Sequence, residues 1–147
     1  MKYEINSNTL AIIAEKKSSR IIETDNEFTV SESSYEIMDR SCRFFGSSYF
    51  GRTVSTRDLT GMTYKVPILL VNNIIFFPTS SPKEEGCSFI LFNKIESIKK
   101  LPYNKTLVTF VNNKSVVLPY SYRTLENQIY RSSRLFYVIE QHLQTLI

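Results

Sequence analysis

The sequence SSYEIMDRSCRFFG, residues 33–46, contains signals for both ends of a helix. This helix is where the predicted strands of the N-terminal region end. Ser33 followed by Glu36 is a capping box, because the serine oxygen can accept the backbone N–H of residue 36. Gly46 is a natural helix stop. The positions between them have helical spacing, shown by Ile37, Met38, Ser41, Phe44 and Phe45. The pattern predicts a helix over residues 34–45.

The residues before this helix predict strands. Runs rich in β-branched residues lie at 9–15, 20–24 and 27–31, and Lys-Lys-Ser-Ser and Asp-Asn turn sequences separate them. After the helix, Ser55 or Thr56 can cap a single helical turn that ends at Gly61.

Two hairpins and one further strand are predicted in the middle of the chain. Apolar runs flank Asn72-Asn73 and residues 112–114, and asparagine tolerates the backbone of a tight hairpin turn. Residues 87–92 form an additional apolar run, and Pro78 limits the strand that precedes it.

A long amphipathic helix is predicted from Ser121 to the end of the chain. Its core face combines Leu125, Ile129, Ser132, Phe136, Ile139 and Leu143. Its opposite face carries Arg123, Asn127, Arg131 and Arg134. This basic face is either a solvated surface or a contact surface for an anionic partner.

Together these elements predict an α+β fold with a small hairpin-rich sheet, one central helix and a long amphipathic C-terminal helix. The 147 residues, 42% of them hydrophobic, fit a single domain over 1–147 with a core filled by ten Phe and nine Tyr. No apolar stretch of about 18 residues is present, so we expect a cytoplasmic protein that does not enter a membrane.

Charge is distributed unevenly along the chain. Residues 1–39 hold four Lys/Arg against eight Asp/Glu, whereas residues 40–147 hold fourteen against six. A basic block of this kind favours a polyanionic partner.

Catalytic chemistry has little support in the sequence. Cys42 and Cys87 lie far apart and His142 is the single histidine, which is too few ligands for a zinc site of the usual spacing. Cys42 is flanked by Arg40 and Arg43, but no histidine is near in sequence, so we interpret it as a packed thiol. We expect no catalytic residue, no metal and no cofactor.

The richest candidate site is a block of arginine, serine and aromatic residues at positions 40–57. A turn with hydroxyl groups and backbone N–H groups between guanidinium groups can hold a phosphate. The predicted contacts in and after this block are Arg40, Arg43, Ser47, Ser48, Tyr49, Arg52, Arg57 and Lys65. Its alternative is a helix with two exposed arginines and an ordinary loop.

The run DRSCRFFGSSYFGR, residues 39–52, resembles the signature of the ComK family of bacterial competence transcription factors. Weaker similarities follow in order at 67–68, 77–79, Cys87, 108–110, 118–122 and 126–131. The resemblance spans roughly residues 20–135, most of the chain.

The resemblance implies a transcription activator of competence genes that binds double-stranded DNA at paired A/T-rich promoter boxes, largely through the minor groove. It also implies a homo-oligomer built from dimers, and an adaptor that delivers the protein to a cytoplasmic protease. Family members continue past the position of Ile147 into a polar tail, so we expect either a naturally short paralogue or a truncated chain. With the block above, Arg123, Asn127 and Arg131 complete the predicted DNA contacts. The alternative function is a short paralogue that modulates a full-length activator by protein–protein interaction.

Overall fold

Six strands form the larger sheet of the computed structural model, which describes residues 2–82 and 85–146. The spatial order of the strands is β3-β2-β1-β6-β5-β4, and every neighbouring pair is antiparallel. The three predicted N-terminal strands are confirmed. In chain order the strands are β1 (Thr9–Glu15), β2 (Ser18–Glu23), β3 (Asn26–Val30), β4 (Ile68–Leu69), β5 (Ile75–Pro78) and β6 (Phe89–Leu91).

The hairpin of β4 and β5 turns at the two predicted asparagines. Asn72 and Asn73 have φ angles of 49° and 62°, and the Leu70 amide donates to the Ile74 carbonyl at 2.9 Å. Asparagine reaches this left-handed region more easily than most residues. The strand after the turn ends at Pro78, as predicted.

A separate three-stranded sheet consists of β7 (Ile95–Leu101), β8 (Lys105–Phe110) and β9 (Ser115–Leu118), in that order. The predicted β8–β9 hairpin is confirmed, with Asn113 at a φ of 65°. The sequence analysis missed β7, because its charged residues at mostly exposed positions lack the β-branched run of a typical strand. The α+β class is therefore confirmed, but the expected small sheet is two sheets.

Two helices, not one, follow β3. The first, α1 (Ser34–Phe44), begins as predicted, since the Ser33 side chain accepts the amide of Glu36. The second, α2 (Tyr49–Thr60), replaces the predicted single turn near residues 55–61. It begins earlier because Ser48 is its N-cap, and it ends at Gly61 with a φ of 78°.

The C-terminal helix α3 (Tyr122–Leu146) is confirmed, and Ser121 caps its first turn by accepting the Thr124 amide at 3.2 Å. Its inward face differs somewhat from the prediction. Leu125, Ser132 and Ile139 are buried, and Gln128 and Leu135 join them. Leu143 is exposed. None of the described helices is long and apolar enough to cross a membrane.

The core joins the larger sheet, the helices and the smaller sheet, which contributes Val108, Phe110, Val116 and Leu118. The inner face of α1, with Ile37, Met38 and Cys42 fully buried, packs in one cluster with Leu10, Ile12, Ile22, Phe76, Phe77 and Phe89. The two cysteines are buried and form no disulfide. Burial raises the pKa of the Cys42 thiol to about 12.

We predict that native Cys42 reacts slowly with iodoacetamide, since alkylation needs both access and the thiolate. At pH 7.5 its rate should be lower than in 8 M urea by about a hundredfold or more, because unfolding restores an ordinary thiol pKa. Peptide mass spectrometry of timed aliquots measures the rate. Equal rates with and without urea would contradict the packing of α1 against the sheet.

Candidate nucleic-acid interface

Asp39 joins α1 to the start of α2. Its Oδ1 accepts the Tyr49 amide at 2.8 Å, and its Oδ2 accepts Arg43 Nε at 2.8 Å. Burial opposes ionisation of this carboxyl, but the hydrogen bonds from Arg43 and the Tyr49 amide outweigh it and lower its pKa. Asp39 is therefore an anion held at the N-terminus of α2, where backbone N–H groups favour negative charge.

Residues of the predicted phosphate-binding turn form hydrogen bonds within the protein. Ser48 Oγ accepts the Gly51 amide at 3.0 Å, and the Tyr49 amide is already bound to Asp39. Tyr49 is only 5% exposed, and its ring packs edge-on against Phe89 at 5.7 Å between centroids. Contact of Ser47, Ser48 and Tyr49 with DNA stays a prediction, while their local bonds show a structural role for the turn.

Arg40 and Arg43 do not share one surface. Arg40 is half-buried and donates to Glu32 and to the Tyr3 carbonyl, so it fixes the N-terminal segment against α1. The Arg43 side chain is 67% exposed and donates to the Asp39 carboxylate. Of the two, Arg43 is the one that can reach a ligand without breaking an internal contact to the backbone.

Arg52 closes the end of α1. Its Nη2 donates to the Phe45 carbonyl at 3.0 Å, and its Nε is buried. A cation at this position also complements the negative end of the helix dipole. The structure therefore gives Arg52 a structural role, and its contact with DNA stays a prediction.

Arg57 and Lys65 line one large groove. The groove has a volume of about 860 Å³ and lies between α2, the start of α1 and the β1–β2 turn. Lys17 contributes a third cation, and the aromatic rings of Phe50 and Tyr64 lie in the wall. Among the described residues, three carboxylates also line it: Glu15, Glu36 and Glu85. The groove is therefore mixed in charge, with its arginine on the exposed side of α2.

The segment that carries Lys65 is held by α3. Gln128 Nε2 donates to the carbonyls of Lys65 at 2.9 Å and Pro78 at 2.6 Å. The Arg131 guanidinium lies 4.7 Å from the Tyr64 ring centroid and donates to the Tyr64 carbonyl at 3.3 Å. These contacts bring Arg131 into the neighbourhood of Lys65.

The predicted basic face of α3 is thus divided. Arg131 is half-buried against the segment that follows α2, and Arg134 Nη2 reaches the Thr60 carbonyl at 3.4 Å. Arg123 and Asn127 are exposed near the start of α3. Arg123 and Asn127 are therefore accessible to a binding partner.

Sequence reasoning missed two important residues at this site, Asp39 and Tyr64. An acid ten residues before Tyr49 gives no local signal that it binds that amide, since the loop geometry decides the contact. Tyr64 directly precedes Lys65, and an aromatic beside a lysine was a signal that could have been used.

Among the described residues, no group of three or more His, Cys, Asp or Glu side chains is placed to hold a metal ion. Cys42 is fully buried, and burial raises the pKa of its thiol.

Comparison with known proteins identifies the family of the chain. Residues 1–144 match the protein family described as ComK protein. The chain is 42% identical over 139 residues to the competence transcription factor of Bacillus subtilis (strain 168), an alignment that covers 90% of this chain and 72% of that protein. No solved structure matches the chain. The chain belongs to the ComK family, a family of transcription factors and not of enzymes.

Proposed function

We propose that this protein is a DNA-binding activator of competence genes that recognises A/T-rich boxes largely through the minor groove. The observation that carries the proposal is the 42% identity to a competence transcription factor over nearly the whole chain. The basic charge of residues 40–147 supports DNA as the partner, because phosphate neutralisation supplies much of the affinity of such proteins.

The proposed contact surface consists of the predicted cations that the fold leaves exposed or at the rim of the groove. They are Arg43, Arg57, Lys65 and Arg123, with Asn127 one turn of α3 beyond Arg123. Arg131 is half-buried beside Tyr64 and is proposed as a further contact next to Lys65. A-tract minor grooves are narrow and strongly negative, so they attract arginine without requiring base-specific hydrogen bonds. Arginine side chains on an irregular surface suit that mode of recognition.

The remaining predicted contacts act mainly as support in this proposal. Arg40, Arg52, Ser48 and Tyr49 bind backbone groups or pack inside the protein, and Ser47 lies half-buried between them. They position α1 and α2, and thereby Arg43 and Arg57.

Paired boxes on DNA also favour a symmetric assembly, because two equivalent half-sites are read by two equivalent subunits. We therefore propose a homo-oligomer on the promoter. Recognition by an adaptor of a cytoplasmic protease is proposed from the family resemblance alone.

The first test is a titration of labelled A/T-box duplex and of G/C-rich duplex of equal length at several salt concentrations. If about four to eight phosphates are neutralised, log K against log[salt] should have a slope of roughly −4 to −7. The A/T-box duplex should bind more tightly at every salt concentration. Fluorescence anisotropy measures both quantities.

A protein that modulates a full-length activator by protein–protein interaction would give a different result. It would bind neither duplex, and a salt slope near zero would contradict the proposed DNA contact.

Base substitution in the duplex tests whether the protein contacts the minor or the major groove of DNA. An inosine·cytosine pair matches A·T in the minor groove, because inosine lacks the guanine amino group, but its major-groove pattern differs. Replacing the A·T pairs of a box by inosine·cytosine should keep most of the affinity. Replacing them by G·C should cost about 1–3 kcal/mol for each critical pair.

The same titration supplies the control. A duplex with inosine·cytosine outside the box should bind like the parent duplex. If inosine·cytosine within the box is as damaging as G·C, minor-groove recognition is wrong and the outer face of α3 becomes the candidate for a major-groove contact.

A further inference from the structure

The hairpin of β7 and β8 carries an exposed tyrosine at its tip. Leu101 pairs with Lys105, so Pro102, Tyr103 and Asn104 form the loop. The Tyr103 side chain is 93% exposed. Its φ is 62° and that of Asn104 is 56°, a left-handed conformation in which Asn is common and a bulky aromatic is rare. The Tyr103 ring is thus exposed to solvent although the backbone conformation of this residue is unfavourable for an aromatic side chain.

The hairpin lies in the longest segment of the chain that contains no acidic residue. Residues 97–125 contain five Lys/Arg and no Asp or Glu. Lys99, Lys100 and Lys105 are exposed on the hairpin itself. None of the ion pairs in the described part of the chain involves these three lysines. Their charge is therefore not neutralised by a neighbouring carboxylate of the fold.

Register places two of these lysines on one face of the hairpin. Lys99 and Leu101 are two residues apart on β7, and Lys105 lies opposite Leu101 across the ladder. Side chains at alternate positions of a strand, and at directly paired positions, point to the same side of a sheet. Lys99 and Lys105 therefore flank the tyrosine loop from the same face.

The hairpin is fixed relative to the start of α3. Thr106 pairs with Leu118, and its Oγ1 donates to the Tyr120 carbonyl at 2.8 Å. This bond holds the base of the loop against the segment that enters α3, whose first turn carries Arg123. The hairpin lysines and Arg123 consequently belong to one end of the smaller sheet.

We infer that the β7–β8 hairpin is a second DNA-contacting element, in which Lys99 and Lys105 bind phosphates and Tyr103 enters the adjacent groove. The inference rests on the proposed function and adds to it a surface outside α1, α2 and α3. DNA fits this surface better than a second copy of the chain, because symmetric pairing would bring the same lysines together.

Two variants test the hairpin, each compared with the wild-type chain on the A/T-box duplex. The variant Lys99→Ala/Lys105→Ala should lower the magnitude of the salt slope by about 2, because each lost phosphate contact removes nearly one unit. Its affinity at 0.1 M salt should fall roughly tenfold or more. The matched control, Lys2→Ala/Lys16→Ala, removes the same charge from exposed lysines elsewhere and should change the slope little.

The variant Tyr103→Asn separates binding from folding. Asparagine accepts the positive φ of the loop, so the melting temperature should stay the same or rise. Affinity should nevertheless fall by about threefold or more, because the ring is gone. Circular dichroism and sedimentation confirm the fold and the oligomeric state of each variant.

The outcomes separate this inference from the proposed function. If wild-type protein binds the duplex and both hairpin variants bind it equally well, the hairpin inference is wrong and the proposed function stands. If the hairpin variants lose self-association and keep the intrinsic DNA affinity, the surface is an oligomer interface instead. If wild-type protein binds no duplex, the proposed function and the hairpin inference both fail.

Discussion

The carboxylate of Asp39 is the contact on which the arrangement of the helices depends. It lies on α1, yet it binds the first amide of α2, so the two helices are joined across the loop between them. Arg43 forms an ion pair with the same carboxylate. Since burial alone would favour a neutral carboxyl, the lowered pKa of Asp39 reflects stabilisation of the anion by these donors. The ionised form is the one that favours the fold, and its contribution diminishes as pH falls through the folded pKa.

This contact divides the arginines of the motif into two groups. Arg40 and Arg52 donate to backbone carbonyls at the two edges of α1, where they hold the N-terminal segment and the end of the helix. Arg43 and Arg57 lie on the exposed sides of α1 and α2. In the proposed function, Arg40 and Arg52 therefore support the fold while Arg43 and Arg57 contact DNA, and charge alone does not separate the two groups.

Local chemistry explains which elements the sequence predicted. Ser33 and Glu36 mark the start of α1, and paired asparagines turn the β4–β5 hairpin, because caps and tight turns depend on a few adjacent residues. The helix α2 was underestimated because Gly51, Thr53 and Val54 are poor helix formers. Its stability comes from tertiary contacts such as the hydrogen bond from Thr56 Oγ1 to the Pro67 carbonyl at 3.0 Å. The pairing of β1 with β6 is likewise a long-range contact that no local pattern encodes.

The sequence predicted a candidate site from its residue types, and contact of these residues with DNA stays a prediction; their partners within the protein could not be predicted. The charge asymmetry and the arginine block indicated a polyanion, but the bonds of Arg40 to Glu32 and of Arg52 to Phe45 exist only after the chain has folded. We propose that the exposed cations bind DNA while the half-buried Arg40 and Arg52 support the fold. Covalent labelling of lysine and arginine, with and without A/T-box duplex, tests it most directly by mass spectrometry. We expect protection of Arg57, Lys65 and the hairpin lysines, unchanged Lys2 and Lys16, and low labelling of Arg40 and Arg52 in both states. If every residue is labelled to the same extent with and without duplex, or if only Lys2 and Lys16 are protected, the proposed DNA-contact surface is wrong.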